Sequence, residues 1–228
     1  MKSQEVMGEV RFARAGCGAR IAYTVKGSGP PLVIVPPWTT HLAAQVGLSG
    51  HERFHAKLES QHTVVLYDRW GTGLSDRGRK DFSSAADVQV LADLVDHLRL
   101  RRFALLGPSH GGPIAAAFTG RFPRLVSHLI LYGARESGLT GGPTWAALRG
   151  LMLANWPVAA RSIAAVATKG GNSSDVDAFA DLLQAAAHTA DDGRPAGRGW
   201  PGQRVSKPRR ACAPDPGVAP ARRLTRIR

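Results

Sequence analysis

The sequence predicts an α/β fold, with a mostly parallel sheet that begins with an antiparallel hairpin. Three observations carry this prediction: short apolar runs recur between residues 11 and 132, helical patterns separate them, and turn residues bound each run. Strands that alternate with helices in this way form βαβ units, whose parallel strands are buried on both faces.

The predicted strands are short runs of apolar and β-branched residues. A hairpin comes first, because Arg11 to Arg14 and Ala19 to Val25 are β-type runs on either side of a glycine-containing turn. Continuous apolar runs then predict four buried parallel strands, at 31–35, 63–67, 103–106 and 129–132.

Helical patterns lie between these strands. Residues 49–60 suit a first, short helix, and another helix starts near Gly111 and ends near Phe122. Between these two, Ser83 or Ser84 can cap a further helix. Its apolar residues recur at helical spacing, at Val88, Leu91, Leu94, Val95 and Leu98.

After the fourth parallel strand the pattern becomes helical only. One helix would place Trp145, Leu148, Leu151 and Met152 on one face, and a second helical stretch covers 176–187. We therefore divide the chain into a core (1–136), a helical cap (137–191) and a basic disordered tail (192–228).

The formal net charge of +13 is concentrated in the tail. Residues 193–228 hold ten basic side chains against one acidic one and carry +9, which leaves +4 for the first 192 residues. This ordinary charge argues against a nucleic-acid-binding domain as the main body. Binding of nucleic acid or anionic membrane by the tail is the weakest hypothesis, because the tail has no helical stripe and no aromatic residue except Trp200.

The sequence shows neither a membrane segment nor a metal site. Met1 to Val10 lacks the apolar stretch of a signal peptide, and no run approaches the roughly 18 apolar residues of a spanning helix. Cys17 and Cys212 are too far apart in sequence to indicate a metal site. We expect a cytoplasmic protein with no cofactor or metal, a small-molecule substrate, and no specific nucleic-acid or membrane partner.

The sharpest motif is the run from Gly107 to Gly112, which matches G-x-S-x-G around Ser109. This motif is a tight strand-to-helix turn that exposes a nucleophilic serine. The context agrees, because the motif directly follows a predicted buried strand and directly precedes a predicted helix, whose N-terminus favours developing negative charge. Ser109 is therefore the candidate nucleophile.

An oxyanion hole requires two backbone N–H donors near that serine. The residue after the nucleophile, His110, supplies the first, and the loop after an earlier strand supplies the second. Trp38 is the best candidate in that loop, because Pro37 has no N–H to donate. The Trp38 side chain can equally line the pocket or belong to the core.

These motifs resemble the α/β-hydrolase superfamily. The resemblance is carried by residues 27–31 before a strand, by the DRWGTGLS segment at 68–75, and by the turn at Ser109. More narrowly, the chain resembles bacterial α/β-hydrolases found alone or fused to class III adenylate cyclase or LuxR-type regulator domains. The resemblance implies an α/β-hydrolase fold and an esterase-like activity. The chain departs from the family at Pro37, where glycine is usual, and at His110, where an acidic residue or glutamine is common.

The catalytic acid and base are harder to assign. In this fold they follow the serine in the order Asp or Glu, then His, and the histidines after Ser109 are His110, His128 and His188. We expect all three to be structural or exposed, and Glu136 could serve as the acid in a variant arrangement. The two strands that would carry acid and base are missing, so the triad is predicted to be incomplete and activity lower by orders of magnitude.

Three further acidic residues are assigned structural roles. Asp68 is predicted to anchor the glycine-rich loop that follows it. Asp87 and Asp93 are predicted to be solvated groups on the face of a helix.

The tail composition offers a reason for the missing strands. Arg, Pro, Ala and Gly make up 25 of the 36 residues from 193 to 228, and all four have G/C-rich codons. Shifting the frame by one nucleotide can turn Cys212 to Ile227 into a string that resembles the family's next strand, including its acid. We predict a frameshift near residue 190–200, which truncates the fold and leaves the fourth parallel strand as an unpaired apolar edge.

Two functions fit these observations. The first is a serine-nucleophile hydrolase of a small ester or related acyl substrate, with an incomplete triad. The alternative is a non-catalytic ligand-sensing domain related to the cyclase and regulator fusions.

Overall fold

The computed structural model describes residues 8–47, 49–134, 143–168 and 172–187. Within these ranges the strands are β1 (Arg11–Arg14), β2 (Arg20–Lys26), β3 (Pro31–Ile34), β4 (Thr63–Tyr67), β5 (Phe103–Pro108) and β6 (Val126–Tyr132). The helices are α1 (Ser49–Glu59), α2 (Ser84–His97), α3 (Gly111–Arg121), α4 (Pro143–Ala154), α5 (Trp156–Ala167) and α6 (Ser173–Ala187). None of these helices is both long and apolar enough to cross a membrane.

The strands form one mixed sheet in the order β1-β2-β4-β3-β5-β6. The pairs β1–β2 and β2–β4 are antiparallel, whereas β4–β3, β3–β5 and β5–β6 are parallel. This arrangement confirms the predicted antiparallel start and parallel continuation.

The parallel strands are buried on both faces because successive side chains point to opposite sides of the sheet. On one side, Val33, Val65 and Leu105 lie in register at the centre of the main apolar cluster. On the other side, a smaller cluster packs against Leu58 of α1 and contains Leu32, Ile34, Val64 and Leu106. Helices on both faces therefore account for the continuous apolar runs.

Helix α2 begins where the capping residue predicts. Ser83 is the N-cap, and its hydroxyl accepts a hydrogen bond from the Ala86 N–H at 3.2 Å. The predicted apolar stripe is confirmed, because Leu91 and Leu94 are almost fully buried and pack with Phe118 of α3 in the main cluster.

The described residues between 143 and 187 are mainly helical, as predicted, and they form three helices rather than two stretches. The first helix ends at Ala154 because Asn155 starts a new one: its side-chain oxygen accepts a hydrogen bond from the Val158 N–H at 3.2 Å. The three helices share an apolar cluster built around Met152, Trp156 and Leu183.

Strand β6 forms one edge of the described sheet. It begins at Val126, before the apolar run, because Val126 pairs with Phe103 of β5. Its last four residues are apolar and solvent-exposed, with exposed fractions that rise from 37% at Leu129 to 74% at Tyr132. The expected apolar edge is therefore present in the described part of the chain.

Candidate active site

Ser109 occupies a tight turn between β5 and α3 with an unusual backbone conformation. Its φ is +49°, in the left-handed region that non-glycine residues rarely adopt. The turn is held by the Ser109 N–H, which donates to the Tyr132 carbonyl at 2.9 Å, and by the Ser109 carbonyl, which accepts from the Gly112 N–H at 3.1 Å. The serine side chain is exposed at the end of the sheet.

Glycines bring this turn close to its neighbours. A Cβ on Gly111 would lie 2.5 Å from the Val35 carbonyl oxygen and 2.9 Å from that of Pro36, closer than real Cβ contacts. A Cβ on Gly107 would lie 2.8 Å from Cβ of Ala115 in α3. The Ser109 turn therefore contacts the loop after β3, which is the loop predicted to hold the second oxyanion donor.

Both predicted donor residues lie beside this turn. His110 is the N-cap residue of α3 and is half-buried, with helical backbone angles. Trp38 is half-buried, and its side chain packs against the cap cluster that includes Met152 and Trp156. The Trp38 side chain therefore joins the loop after β3 to the helical cap.

A buried charge cluster lies next to His110. Both carboxylate oxygens of Asp87 accept hydrogen bonds from Arg69, and Oδ1 also accepts from Arg79 Nη1 at 2.8 Å. All three residues are more than nine-tenths buried. Arg69 Nη1 also lies 3.2 Å from His110 Nδ1 and 3.4 Å from the Trp38 carbonyl oxygen.

The prediction that Asp87 is solvated is wrong, because its side chain is buried, whereas Asp93 is only half-buried. The two guanidinium groups compensate the cost of burying Asp87. Asp93 accepts a hydrogen bond from the Gly16 N–H at 2.7 Å and so joins α2 to the turn after β1. Asp87 was detectable in the sequence, because it lies four and seven residues before Leu91 and Leu94 and therefore on the apolar face of α2.

The cluster changes the protonation of its neighbours. Burial opposes ionisation of Asp87, but the charges of Arg69 and Arg79 outweigh it, so the pKa of Asp87 is lowered. Burial, and then the positive charge of Arg69, lower the pKa of His110. The cluster therefore favours an ionised Asp87 and a neutral His110 imidazole.

Asp68 anchors its loop, in agreement with the prediction. The buried carboxylate accepts hydrogen bonds from the Leu42 N–H at 3.1 Å and from the Leu74 N–H at 2.8 Å. Gly73 has φ +53° and approaches so closely that a Cβ there would lie 2.2 Å from Asp68 Oδ2. Burial raises the pKa of Asp68, and the backbone donors oppose that rise.

The described residues do not bring a histidine base to Ser109. The His110 ring faces Arg69, and His128 is exposed in β6 beside Ser127. In these parts of the chain no side chain forms a hydrogen bond with Ser109 Oγ, and no group of three potential metal ligands occurs. Glu136 and His188 lie outside the described residues.

The sequence profile of the alpha/beta hydrolase fold family matches residues 30–202. This stretch contains strands β3 to β6, the Ser109 turn and the cap helices, and it makes up most of the chain. The chain therefore belongs to the alpha/beta hydrolase fold family.

Individual relatives agree with this assignment. An uncharacterized protein of Mycobacterium tuberculosis is 36% identical over 117 residues, which are 51% of this chain and 33% of the relative. A 2-hydroxy-6-oxononadienedioate/2-hydroxy-6-oxononatrienedioate hydrolase of Paraburkholderia xenovorans is 32% identical over 151 residues, 63% of this chain and 45% of the relative. This chain thus spans less than half the length of these curated relatives.

The fold also matches solved structures. An esterase from Exiguobacterium antarcticum superimposes with a TM-score of 0.67 at 23% identity, over 78% of this chain and 69% of the esterase. A likeness at this level of identity supports the fold alone.

Proposed function

We propose that this protein is a serine-nucleophile hydrolase that acts on a small ester or a related acyl substrate. The observation that carries the proposal is the exposed Ser109 with φ +49° between a buried strand and a helix N-terminus. A non-glycine residue keeps such a conformation only where the surroundings enforce it, and such sites cluster where function requires them.

The proposed chemistry begins with attack by Ser109 Oγ on the acyl carbon. A carbon–oxygen bond forms, the serine proton passes to a base, and the carbonyl oxygen becomes an oxyanion. The backbone N–H groups of His110 and Trp38 are the proposed oxyanion donors. Support comes from Gly111, whose missing side chain lets the Ser109 turn lie against the loop that contains Trp38.

We further propose that the triad is incomplete in this chain. His110 contacts Arg69, and His128 contacts Ser127. Glu136 stays our candidate for the acid in a variant arrangement of the triad. A frameshift near residue 190–200 is our explanation, and the nucleotide sequence tests it. If no alternative frame encodes a hydrolase terminus with a histidine, this explanation is wrong.

The relatives support hydrolysis without defining the substrate. The Paraburkholderia relative is named for hydrolysis of a dienedioate or trienedioate, and the Exiguobacterium structure is named an esterase. A nucleophilic serine is compatible with both names. We therefore propose an acyl-type substrate and leave its size to experiment.

The alternative function is a non-catalytic ligand-sensing domain. The observation that favours it is the lack of a histidine hydrogen bond to Ser109 Oγ among the described residues. Such a domain would bind a small molecule without cleaving it.

A fluorophosphonate probe distinguishes the two functions, because it phosphonylates activated serines. We expect intact-mass analysis and peptide mapping to find the probe on Ser109, and Ser109→Ala to abolish labelling. The matched control is Ser162→Ala, which removes an exposed serine on α5 and should label like the natural chain. Folded protein that is never labelled would contradict the hydrolase proposal and favour the sensor.

A further inference from the structure

Arg69 contacts both residues whose backbone N–H groups are the proposed oxyanion donors. Its Nη1 donates to the Trp38 carbonyl oxygen at 3.4 Å and lies 3.2 Å from His110 Nδ1. A guanidinium has donors and no acceptor, so Nδ1 must be the acceptor in the second contact. Nothing in the proposed chemistry at Ser109 uses the Arg69 side chain directly.

We propose that Arg69 is a positioning residue, which holds His110 as the neutral tautomer with its proton on Nε2 and ties the Trp38 loop to the Ser109 turn. The role in catalysis rests on the proposed function of Ser109. The tautomer and the tie between the two loops can be measured independently of any activity.

The Arg69 side chain is held rigidly enough for this role. Its Nε and Nη2 both face the Asp87 carboxylate, so the fork of the guanidinium is occupied and only Nη1 is directed to the two loops. Asp87 is itself fixed by Arg79 and by its position in the first turn of α2. A buried, paired side chain of this kind loses little further entropy when it binds the loops.

The charges around His110 explain why the neutral form is required. Among the described residues, the charged groups that act on its ring are Arg69 and Arg79 from the loop between β4 and α2, and Asp87 from α2. Two guanidinium groups and one carboxylate leave a net charge of +1 beside the imidazole. Protonating Nδ1 would replace the acceptor for Arg69 with a donor and add a second positive charge.

The sign of the pH dependence follows from this arrangement. His110 has a lowered pKa, so at neutral pH the imidazole is uncharged and the hydrogen bond from Arg69 is complete. As the pH falls through that lowered pKa, the ring takes up a proton and the hydrogen bond is lost. Replacing Arg69 with an uncharged residue should move the His110 titration to higher pH.

The first test is nitrogen NMR of the full chain labelled with ¹⁵N-histidine, in which the His110 signals are assigned from their loss in His110→Gln. We expect the natural chain to carry the proton on Nε2 alone. In Arg69→Met we expect a mixture of tautomers and a higher titration midpoint. This variant should fold, because Asp87 keeps Arg79 as its partner.

The matched control is Arg77→Met in the same loop. Arg77 donates to the carbonyl oxygens of Gly71, Gly73 and Ala186 and to neither donor residue. We expect it to leave the His110 spectrum unchanged. A proton on Nδ1 in the natural chain, or unchanged His110 signals in Arg69→Met, would overturn the proposal.

The second test measures the rate of fluorophosphonate labelling at Ser109 against pH. Arg69→Met should lower the rate by roughly ten- to a hundredfold, because small displacements of catalytic groups have effects of this size. In the natural chain the labelling rate should decrease as the pH falls through the titration midpoint of His110. This decrease should be missing in Arg69→Met. If no variant is labelled, the assignment of Ser109 fails, and the NMR result alone decides the role of Arg69.

Discussion

At the scale of single residues, Asp87 carries a buried negative charge that two arginines compensate. Asp87 lies in the first turn of α2, on the face that also carries Leu91 and Leu94. Two arginines from the segment after β4 bind it, so one carboxylate joins this helix to the loop beside the Ser109 turn. Removing the carboxylate would leave two buried guanidinium groups without their counter-charge.

We therefore expect Asp87→Asn to lower the free energy of unfolding by about 3 to 5 kcal/mol, the usual cost of breaking a buried ion pair on one side. Chemical denaturation measures this change. Asp96→Asn is the control, because Asp96 is exposed on the same helix and its loss should cost less than about 0.5 kcal/mol. Equal stabilities for the two variants would contradict the conclusion that the ion pairs of Asp87 stabilise the fold.

A second prediction concerns two histidines on α1. His51 and His55 lie one turn apart with their Nε2 atoms 3.0 Å from each other. Burial lowers the pKa of each to about 4, helped for His51 by His55 and for His55 by Lys26. In the unfolded chain both would titrate near the ordinary pKa of about 6.5.

The unfolded state therefore binds protons first as the pH falls, and the free energy of unfolding should decrease between pH 6.5 and 4. We expect a loss of roughly 2 to 3 kcal/mol for each of the two histidines. The double variant His51→Gln/His55→Gln should lack this loss, whereas His128→Gln, which removes an exposed histidine, should retain it. An unchanged pH profile in the double variant would contradict this explanation.

At the scale of elements, helix α3 shows two opposite uses of glycine. Gly111 starts the helix against the carbonyl oxygens of Val35 and Pro36, so a side chain there would push the Ser109 turn away from the β3 loop. Gly120 lies in the last turn of the same helix, where a Cβ would meet nothing within 4 Å. The two glycines therefore permit a matched comparison.

We expect Gly111→Ala to lower the free energy of unfolding by about 1 to 3 kcal/mol, the usual cost of overpacking. Gly120→Ala should raise the same quantity by up to about 1 kcal/mol, because alanine is the better helix former. Thermal and chemical denaturation of the two variants measure both effects. A Gly111→Ala variant as stable as Gly120→Ala would contradict the close approach.

At the scale of the whole molecule, the sheet is well covered at its centre and poorly covered at β6. The outer edge of β6 pairs with no other described strand, and Leu131 and Tyr132 are more than half exposed. Exposed apolar edge strands are templates for pairing with other chains. We therefore expect this edge to drive self-association.

The double variant Ile130→Lys/Tyr132→Lys should reduce that self-association, because charged side chains on an edge oppose pairing. Sedimentation velocity over a series of concentrations measures the change. The control is Val166→Lys, which removes an apolar side chain that is 80% exposed on α5, away from the edge. If that control reduces association equally, general apolar exposure and not the edge is responsible.

Most of the fold could be predicted from local patterns. The runs that became β3 to β6 are continuous and apolar because both faces of a parallel strand are buried, and Ser83 precedes α2 because its hydroxyl caps the helix. The cap was only partly predicted. The helix break at Asn155 depends on one side-chain hydrogen bond, and the spacing of apolar residues gives no information about that bond.

The succession of strands and helices along the chain and the turn at Ser109 could be read from local patterns, because periodicity, caps and glycine spacing are local properties. The surroundings of that serine follow from tertiary packing. It brought Arg69 and Arg79 of the loop after β4 together with Asp87 of α2 in one buried cluster beside His110 and Trp38. Such contacts depend on how β4, α2 and the Ser109 turn pack together, and a pattern of neighbouring residues carries little information about that packing.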